Sequence, residues 1–140
     1  MTGIRIDGKI IAQTVKDRVK KAASELKTQG VNPCLATVLI GNNPASATYV
    51  KNKHKACEEV GIITKDHKLD ESVTQQELNR IIDELNADVS VHGILVQLPL
   101  PKHLNEFATT SRISPIKDVD GLTPHNAGLL AMKKAALVAC

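Results

Sequence analysis

Residues 34–60, CLATVLIGNNPASATYVKNKHKACEEV, decide the fold. Their first seven residues form a nearly continuous apolar run, the pattern of a strand buried on both faces of a parallel sheet. Gly41-Asn42-Asn43-Pro44 then turns the chain, with Asn43 suited to cap a helix and Pro44 to its first position. At about 100° per residue, Ser46, Tyr49, Val50, Lys53, Ala56, Cys57 and Val60 share one side of that helix. Lys51, Asn52, His54, Lys55, Glu58 and Glu59 share the other, an ordinary solvated face, and Gly61 ends the element. Lys53 is the anomaly, an ammonium at the centre of an otherwise apolar stripe. A charge taken out of water is costly unless paired or neutralised, and lysine can be neutralised by a depressed pKa. The plainer reading is a lysine that lays its methylenes on apolar surface and keeps its head wet. The central position, with the only tyrosine one turn earlier on the same face, favours a catalytic or ligand-binding role.

On the N-terminal side, Asp7-Gly8 precedes a strongly periodic helix in which Ile11, Val15, Val19, Ala22 and Leu26 recur, stopped by Gly30. On the C-terminal side, residues 62–69 form a weaker strand candidate. Thr74-Gln-Gln-Glu77 is a capping box, opening a helix whose core face is Leu78, Ile81, Ile82 and Leu85. Residues 91–97, VHGILVQ, read as another buried strand. The order helix, strand–helix, strand–helix, strand predicts an α/β fold, a three-layer domain with a mostly parallel sheet flanked by helices.

The 140 residues suit one domain, and with 42% apolar residues but only Phe107 and Tyr49 aromatic, its core must be aliphatic. No run is long or apolar enough to span a bilayer, and no signal-peptide layout opens the chain. Cys34, Cys57 and Cys140 form no CxxC pair, and their odd count argues against a disulfide framework, so a reducing, cytoplasmic setting fits. The net charge of +3 is mild and spread along the chain, without aromatic platforms, which argues against nucleic acid as a partner.

In such folds ligands bind beyond the carboxyl ends of the strands. Gln97 stands at one such end and runs into Leu98-Pro99-Leu100-Pro101, a stiff, irregular segment that could wall a planar ligand or serve only as a rigid exit from the sheet. Farther on, Asp118 and Asp120 flank Val119 before Gly121. They resemble part of a calcium loop, but Leu129 occupies the position of the bidentate glutamate, and the five histidines are scattered, so no metal is expected. A carboxylate there could instead accept paired hydrogen bonds from a guanidine-like heterocycle edge, or, for Asp118, cap a turn.

Three segments carry a resemblance: Ser46-x-x-Tyr49-Val-Lys-Asn-Lys53, Gly93-Ile-Leu-Val-Gln97-Leu-Pro-Leu-Pro101 and Lys117-Asp-Val-Asp120-Gly121. Together they are similar to the bifunctional methylenetetrahydrofolate dehydrogenase/methenyltetrahydrofolate cyclohydrolase family, and the likeness runs from Ile4-Asp7-Gly8 to Asn126-Ala-Gly128. The resemblance implies that Tyr49 stacks on the folate ring system and that Lys53 is the catalytic lysine. It further implies that Gln97 hydrogen-bonds Lys53 and that Asp120 anchors the amino-pyrimidine edge. Val50, Lys51, Asn52, Val96, Leu98 and Pro99 are implied to line the pocket. It also implies tetrahydrofolate derivatives as substrates, a homodimeric parent, and NAD(P) bound by a second, Rossmann-type domain. Residues 1–140 would then be the folate-binding catalytic domain, with residues 127–140 leading towards that second domain. Relatives carry Pro-Cys-Thr-Pro near the junction, where Ala139 here replaces the proline. No Gly-rich dinucleotide fingerprint occurs, so without a partner domain no hydride transfer and only weak cyclohydrolase activity are expected.

The implied chemistry suits the residues. Hydride leaves the methylene bridge for the nicotinamide, and water then adds to the resulting methenyl cation and opens the ring. The water step needs proton transfers, for which an ordinary lysine of pKa roughly 10.4 is a poor base. Burial and a substrate cation would both push it towards about 7–8. Two other classes stay open: a folate-binding module without turnover, against which the Lys53–Gln97 pair speaks, and an enzyme using Lys53 as a Schiff-base nucleophile.

Overall fold

The computed structural model describes residues 7–137, so the expectations that fall on Ile4 and residues 138–140 lie outside the described residues. Eight elements follow one another: α1 (Gly8–Thr28), β1 (Cys34–Ile40), α2 (Pro44–Val60), β2 (Ile63–Leu69), α3 (Gln75–Ala87), β3 (Gly93–Val96), α4 (Glu106–Arg112) and α5 (Pro124–Ala131). The three strands make one parallel sheet in the order β2-β1-β3, as the βαβ pattern requires.

Alternation along β1 sorts the two layers. Cys34, Ala36, Val38 and Ile40 face α3 and form the main core with its Leu78, Ile82 and Leu85, with Ile94 and Val96 of β3, and with Leu100, Leu104 and Ile113 beyond. Leu35, Thr37 and Leu39 lie on the other face, where α2 contacts β1 and β2 and α1 packs on α2. This is the expected three-layer α/β domain. The Thr74–Glu77 capping box forms in both directions, with Glu77 N bonded to Thr74 Oγ1 at 3.2 Å and Thr74 N to Glu77 Oε2 at 2.9 Å.

Several details differ from the sequence expectations. The strand expected over 91–97 is regular only at Gly93–Val96, although His92 and Gln97 still donate to Cys34 and Val38 of β1. α4 and α5 are additional helices, each opened by a side-chain cap, Asn105 and Thr123. The periodic stripe of α1 is mostly uncovered: Ile11, Val15 and Leu26 are exposed, and Ala23 is its buried residue. On α2, Tyr49 is 62% exposed although it shares the apolar arc, whereas His54, expected among solvated residues, is half-buried. A 17-residue helix resting on a three-stranded sheet meets it along a band narrower than the apolar arc, so the arc's edge residues are redistributed.

Candidate active site

The site is built at the carboxyl ends of β1 and β3. Asn43 Oδ1 accepts from the amides of Ala45 and Ser46, Pro44 occupies the first turn, and Gly61 closes α2 in the left-handed conformation at φ 81°. These local signals fix the ends of α2, and burial of Ser46, Val50 and Val60 fixes its rotation. Lys53 is thereby carried, half-buried, towards the end of β3. There Gln97 donates its backbone amide to Val38 O and its side-chain Nε2 to Leu98 O at 2.7 Å. With the amide nitrogen so engaged, Oε1 is left to accept, and Lys53 Nζ donates to it at 3.4 Å. The bond is long, so the ammonium is steered more than clamped.

The opposite wall comes from residues 117–121. Ile94 donates its amide to Lys117 O at 2.7 Å and forms a parallel bridge with Asp118, which zips this segment to the outer side of β3. The Lys117 ammonium donates to the carbonyls of Leu85, Asn86 and Asp88 at 2.8–3.0 Å, a cation at the negative end of α3. Asp118 is only 1% exposed and accepts from Leu122 N at 3.2 Å, Thr123 N at 2.8 Å and Asn126 Nδ2 at 2.9 Å. Burial pushes its carboxyl up, but these donors outweigh burial and hold it below its ordinary value. Gly121, at φ 68°, makes the turn that lets the chain double back onto Asp118. Asp120, two residues on, has the reverse balance. Burial raises its carboxyl and the charge of Asp118 adds to the rise, while the Lys53 ammonium opposes it. Among the described residues Asp120 has no hydrogen-bond donor.

Behind Lys53, on the sheet side of α2, lies a second polar cluster. Thr37 Oγ1 donates to Asp66 Oδ1 at 2.7 Å, and His54 Nε2 lies 2.7 Å from the same oxygen and 3.1 Å from Thr37 Oγ1. Thr37 and Asp66 are register partners on neighbouring strands, so the cluster pins α2 to both β1 and β2 one residue from Lys53.

Of the residues picked from the sequence, Lys53 and Gln97 are hydrogen-bonded, and Asp120 lies within range of the Lys53 charge. Tyr49 stands one turn before Lys53 with its ring exposed, and Val50 is buried beneath α2. Lys51 and Asn52 are exposed, and Pro99 is exposed after a cis Leu98–Pro99 bond. Leu98 is partly buried against the main core, and Val96 is buried in it. Asp118 is the turn cap that the simpler reading gave it. Sequence reasoning missed Thr37, His54, Asp66 and Lys117. The available signal was Thr37 itself, the only polar residue in an otherwise apolar strand. Among the described residues no group of three or more His, Cys, Asp or Glu could hold a metal ion.

Comparison with known proteins places the chain in a family. The catalytic domain of the tetrahydrofolate dehydrogenase/cyclohydrolase family matches residues 6–120. The chain is 80% identical over 140 residues to the bifunctional protein FolD of Nitrosopumilus maritimus, covering 100% of this chain and 49% of the relative. It is 60% identical over 135 residues to that of Cenarchaeum symbiosum, covering 96% and 48%. The crystal structure of the bifunctional enzyme FolD from Campylobacter jejuni superposes with a TM-score of 0.93 at 47% identity, covering 96% of this chain and 48% of that one. The Trypanosoma brucei enzyme complexed with NADP cofactor and inhibitor gives 0.90 at 34%, covering 99% and 48%. The chain thus spans about half the length of the curated relatives it matches.

Proposed function

Because this chain belongs to the tetrahydrofolate dehydrogenase/cyclohydrolase family, we propose that residues 1–140 are the folate-binding catalytic domain of a one-carbon enzyme. The proposed enzyme oxidises methylenetetrahydrofolate to methenyltetrahydrofolate and hydrolyses that to formyltetrahydrofolate. The observation that carries this reading is the Lys53 Nζ–Gln97 Oε1 hydrogen bond at the carboxyl ends of two parallel strands, with the Asp120 carboxylate close enough to feel the Lys53 charge.

In this reading Asp120 accepts the donors of the amino-pyrimidine edge, and the exposed Tyr49 ring covers the flat ring system. Val50 to Asn52, Val96, Leu98 and Pro99 belong to the walls through backbone or side chain. Water adds to the methenyl carbon, and Lys53 takes the proton that water loses. Lys53 returns that proton to the ring nitrogen as the carbon–nitrogen bond breaks and the ring opens, and Gln97 keeps the amine aimed. Gln97 can only accept from Lys53 in this arrangement, so it steers the amine without competing for the transferred proton. Asp120 completes a proposed catalytic trio by holding the ring that carries the reacting carbon.

NAD(P) use belongs to the proposal for the longer protein. A neighbouring structure holds NADP, and the yeast neighbour is named as NAD-dependent. The described residues do not themselves fit a dinucleotide. Their glycines stand singly at turns, at helix ends, in β3 and within α5, with no G-x-G-x-x-G opening a helix. No hydride step is therefore derived from them. A cytoplasmic setting and a homodimeric whole protein belong to the same proposal, the first supported by the free thiols Cys34 and Cys57.

The test is Lys53→Met, which keeps the methylene stem and removes the amine. Hydrolysis of methenyltetrahydrofolate should fall by about 10²–10⁴, the span of general acid–base catalysis, with folate affinity retained. Undiminished hydrolysis would refute the assignment.

A further inference from the structure

Gly93 opens β3, beside Leu35 of β1 and under Val119. Its backbone is ordinary strand, so conformational freedom does not explain a glycine there. Space does: a Cβ built on Gly93 would stand 2.6 Å from Val119 Cγ1 and 3.3 Å from Leu35 Cδ1. Carbon atoms in contact sit about 3.5–4.0 Å apart, so one of the neighbours would have to leave. Val119 lies between the two aspartates of the site. Upstream, Asp118 and Lys117 are held by hydrogen bonds, buried at Thr123 and Asn126 and partly buried at Leu122 and at the end of α3. Downstream, Asp120 has no donor holding its carboxylate among the described residues. Val119 itself is 38% exposed, so a displacement of its backbone, as distinct from a rotation of its side chain, would pass towards Asp120.

We propose that Gly93 is a positioning residue: its missing side chain is the seat in which Val119 rests, and that seat sets where Asp120 stands relative to Lys53 and a bound pterin edge. The inference rests on the folate reading for its ligand and on the Gly93–Val119 contact alone for its geometry. Gly93 touches no substrate in this account and acts only through Val119.

A cycle of Gly93→Ala, Val119→Ala and the double variant tests it. Each is read by tetrahydrofolate affinity, by the backbone amide NMR signal of Asp120, and by urea unfolding. In G93A the Asp120 signal should shift and affinity should fall about tenfold, the scale of one lost hydrogen bond to a charged group. V119A removes the methyls without adding bulk to β3, which keeps the fold safe even if G93A fails to fold. It should weaken affinity about threefold, and in its background the added alanine at position 93 should neither cost further affinity nor move the Asp120 signal beyond its place in V119A. The non-additivity separates a seat from two independent defects. If Val119 merely rotates its β-hydrogen over the new methyl, G93A leaves Asp120 and affinity unchanged, and the proposal falls. Reduced unfolding stability with unchanged affinity overturns it equally, because that is what plain core packing would give. Wild-type chain that binds no tetrahydrofolate would remove the folate reading, and the NMR signal would still decide whether Gly93 places Asp120.

Discussion

Replacing Asp118 by Asn probes the part of the site that binds nothing. The carboxylate is 1% exposed, with Thr123 N and Asn126 Nδ2 on Oδ2 and Leu122 N on Oδ1. An asparagine can keep its amide oxygen at the Oδ2 place, so two bonds survive without charge assistance, a loss of roughly 1 kcal/mol each. Its NH₂ then meets the Leu122 N–H, donor against donor, for about another 1–2 kcal/mol. Relief from burying a charge offsets part of this, leaving roughly 2–3 kcal/mol of lost stability.

The assay is urea unfolding by far-UV circular dichroism at a series of pH values. The sign follows from the direction of the shift. Asp118 is held below its ordinary value in the fold, so its charged form adds stability above the unfolded pKa of about 3.9. That contribution is lost as pH falls through the lower folded value. The gap between wild type and D118N should be full at pH 7 and narrow only in the acid range. A gap under about 0.5 kcal/mol at pH 7, or one that does not change on acidification, would refute the claim that the carboxylate is ionised and held by those donors.

Two further perturbations address the layers around the site. Leu78→Ala, at a position with 0% exposure in the α3 core, should cost about 3 kcal/mol in urea unfolding, and a loss under 1 kcal/mol would mean the core collapses around the gap. Thr37→Val keeps the shape and removes the hydroxyl bonded to Asp66. It should lower stability by about 1 kcal/mol, and a variant more stable than wild type would show the cluster to be dispensable.

What could be read from the sequence was what short stretches decide by themselves. β1, the capped start of α2, its glycine stop and the capping box of α3 rest on neighbours within about four residues, and each lies where the pattern puts it. α4 and α5, seven and eight residues long, are too short to display a hydrophobic period, and their caps were the only signal. Lys53 stood out because charge inside an apolar stripe is rare, Gln97 and Asp120 stood at a strand end and a glycine turn, and the resemblance supplied their roles. The Thr37–His54–Asp66 cluster could not be found this way. Thr37 meets Asp66 only because β1 and β2 pair in one particular register, and His54 reaches them only after α2 settles off-centre. Lys117 likewise finds three carbonyls of a helix end that lies about thirty residues earlier.

The two carboxylates of residues 118–120 are one residue type on one short turn, yet their ionisation is pushed in opposite directions. Burial acts upward on both. The difference is the donor inventory: three N–H groups converge on Asp118, whereas Asp120 is opposed only by the ammonium of Lys53 and is further raised by Asp118 itself. Asp120 is only partly buried, and among the described residues nothing donates to it, so its carboxylate is open to donors that a ligand would bring. On the proposed reading, the amino-pyrimidine edge would give Asp120 what Leu122, Thr123 and Asn126 already give Asp118. Ligand binding would then lower the Asp120 carboxyl towards its ordinary range, so affinity would weaken under acid conditions in which Asp120 is protonated before Asp118.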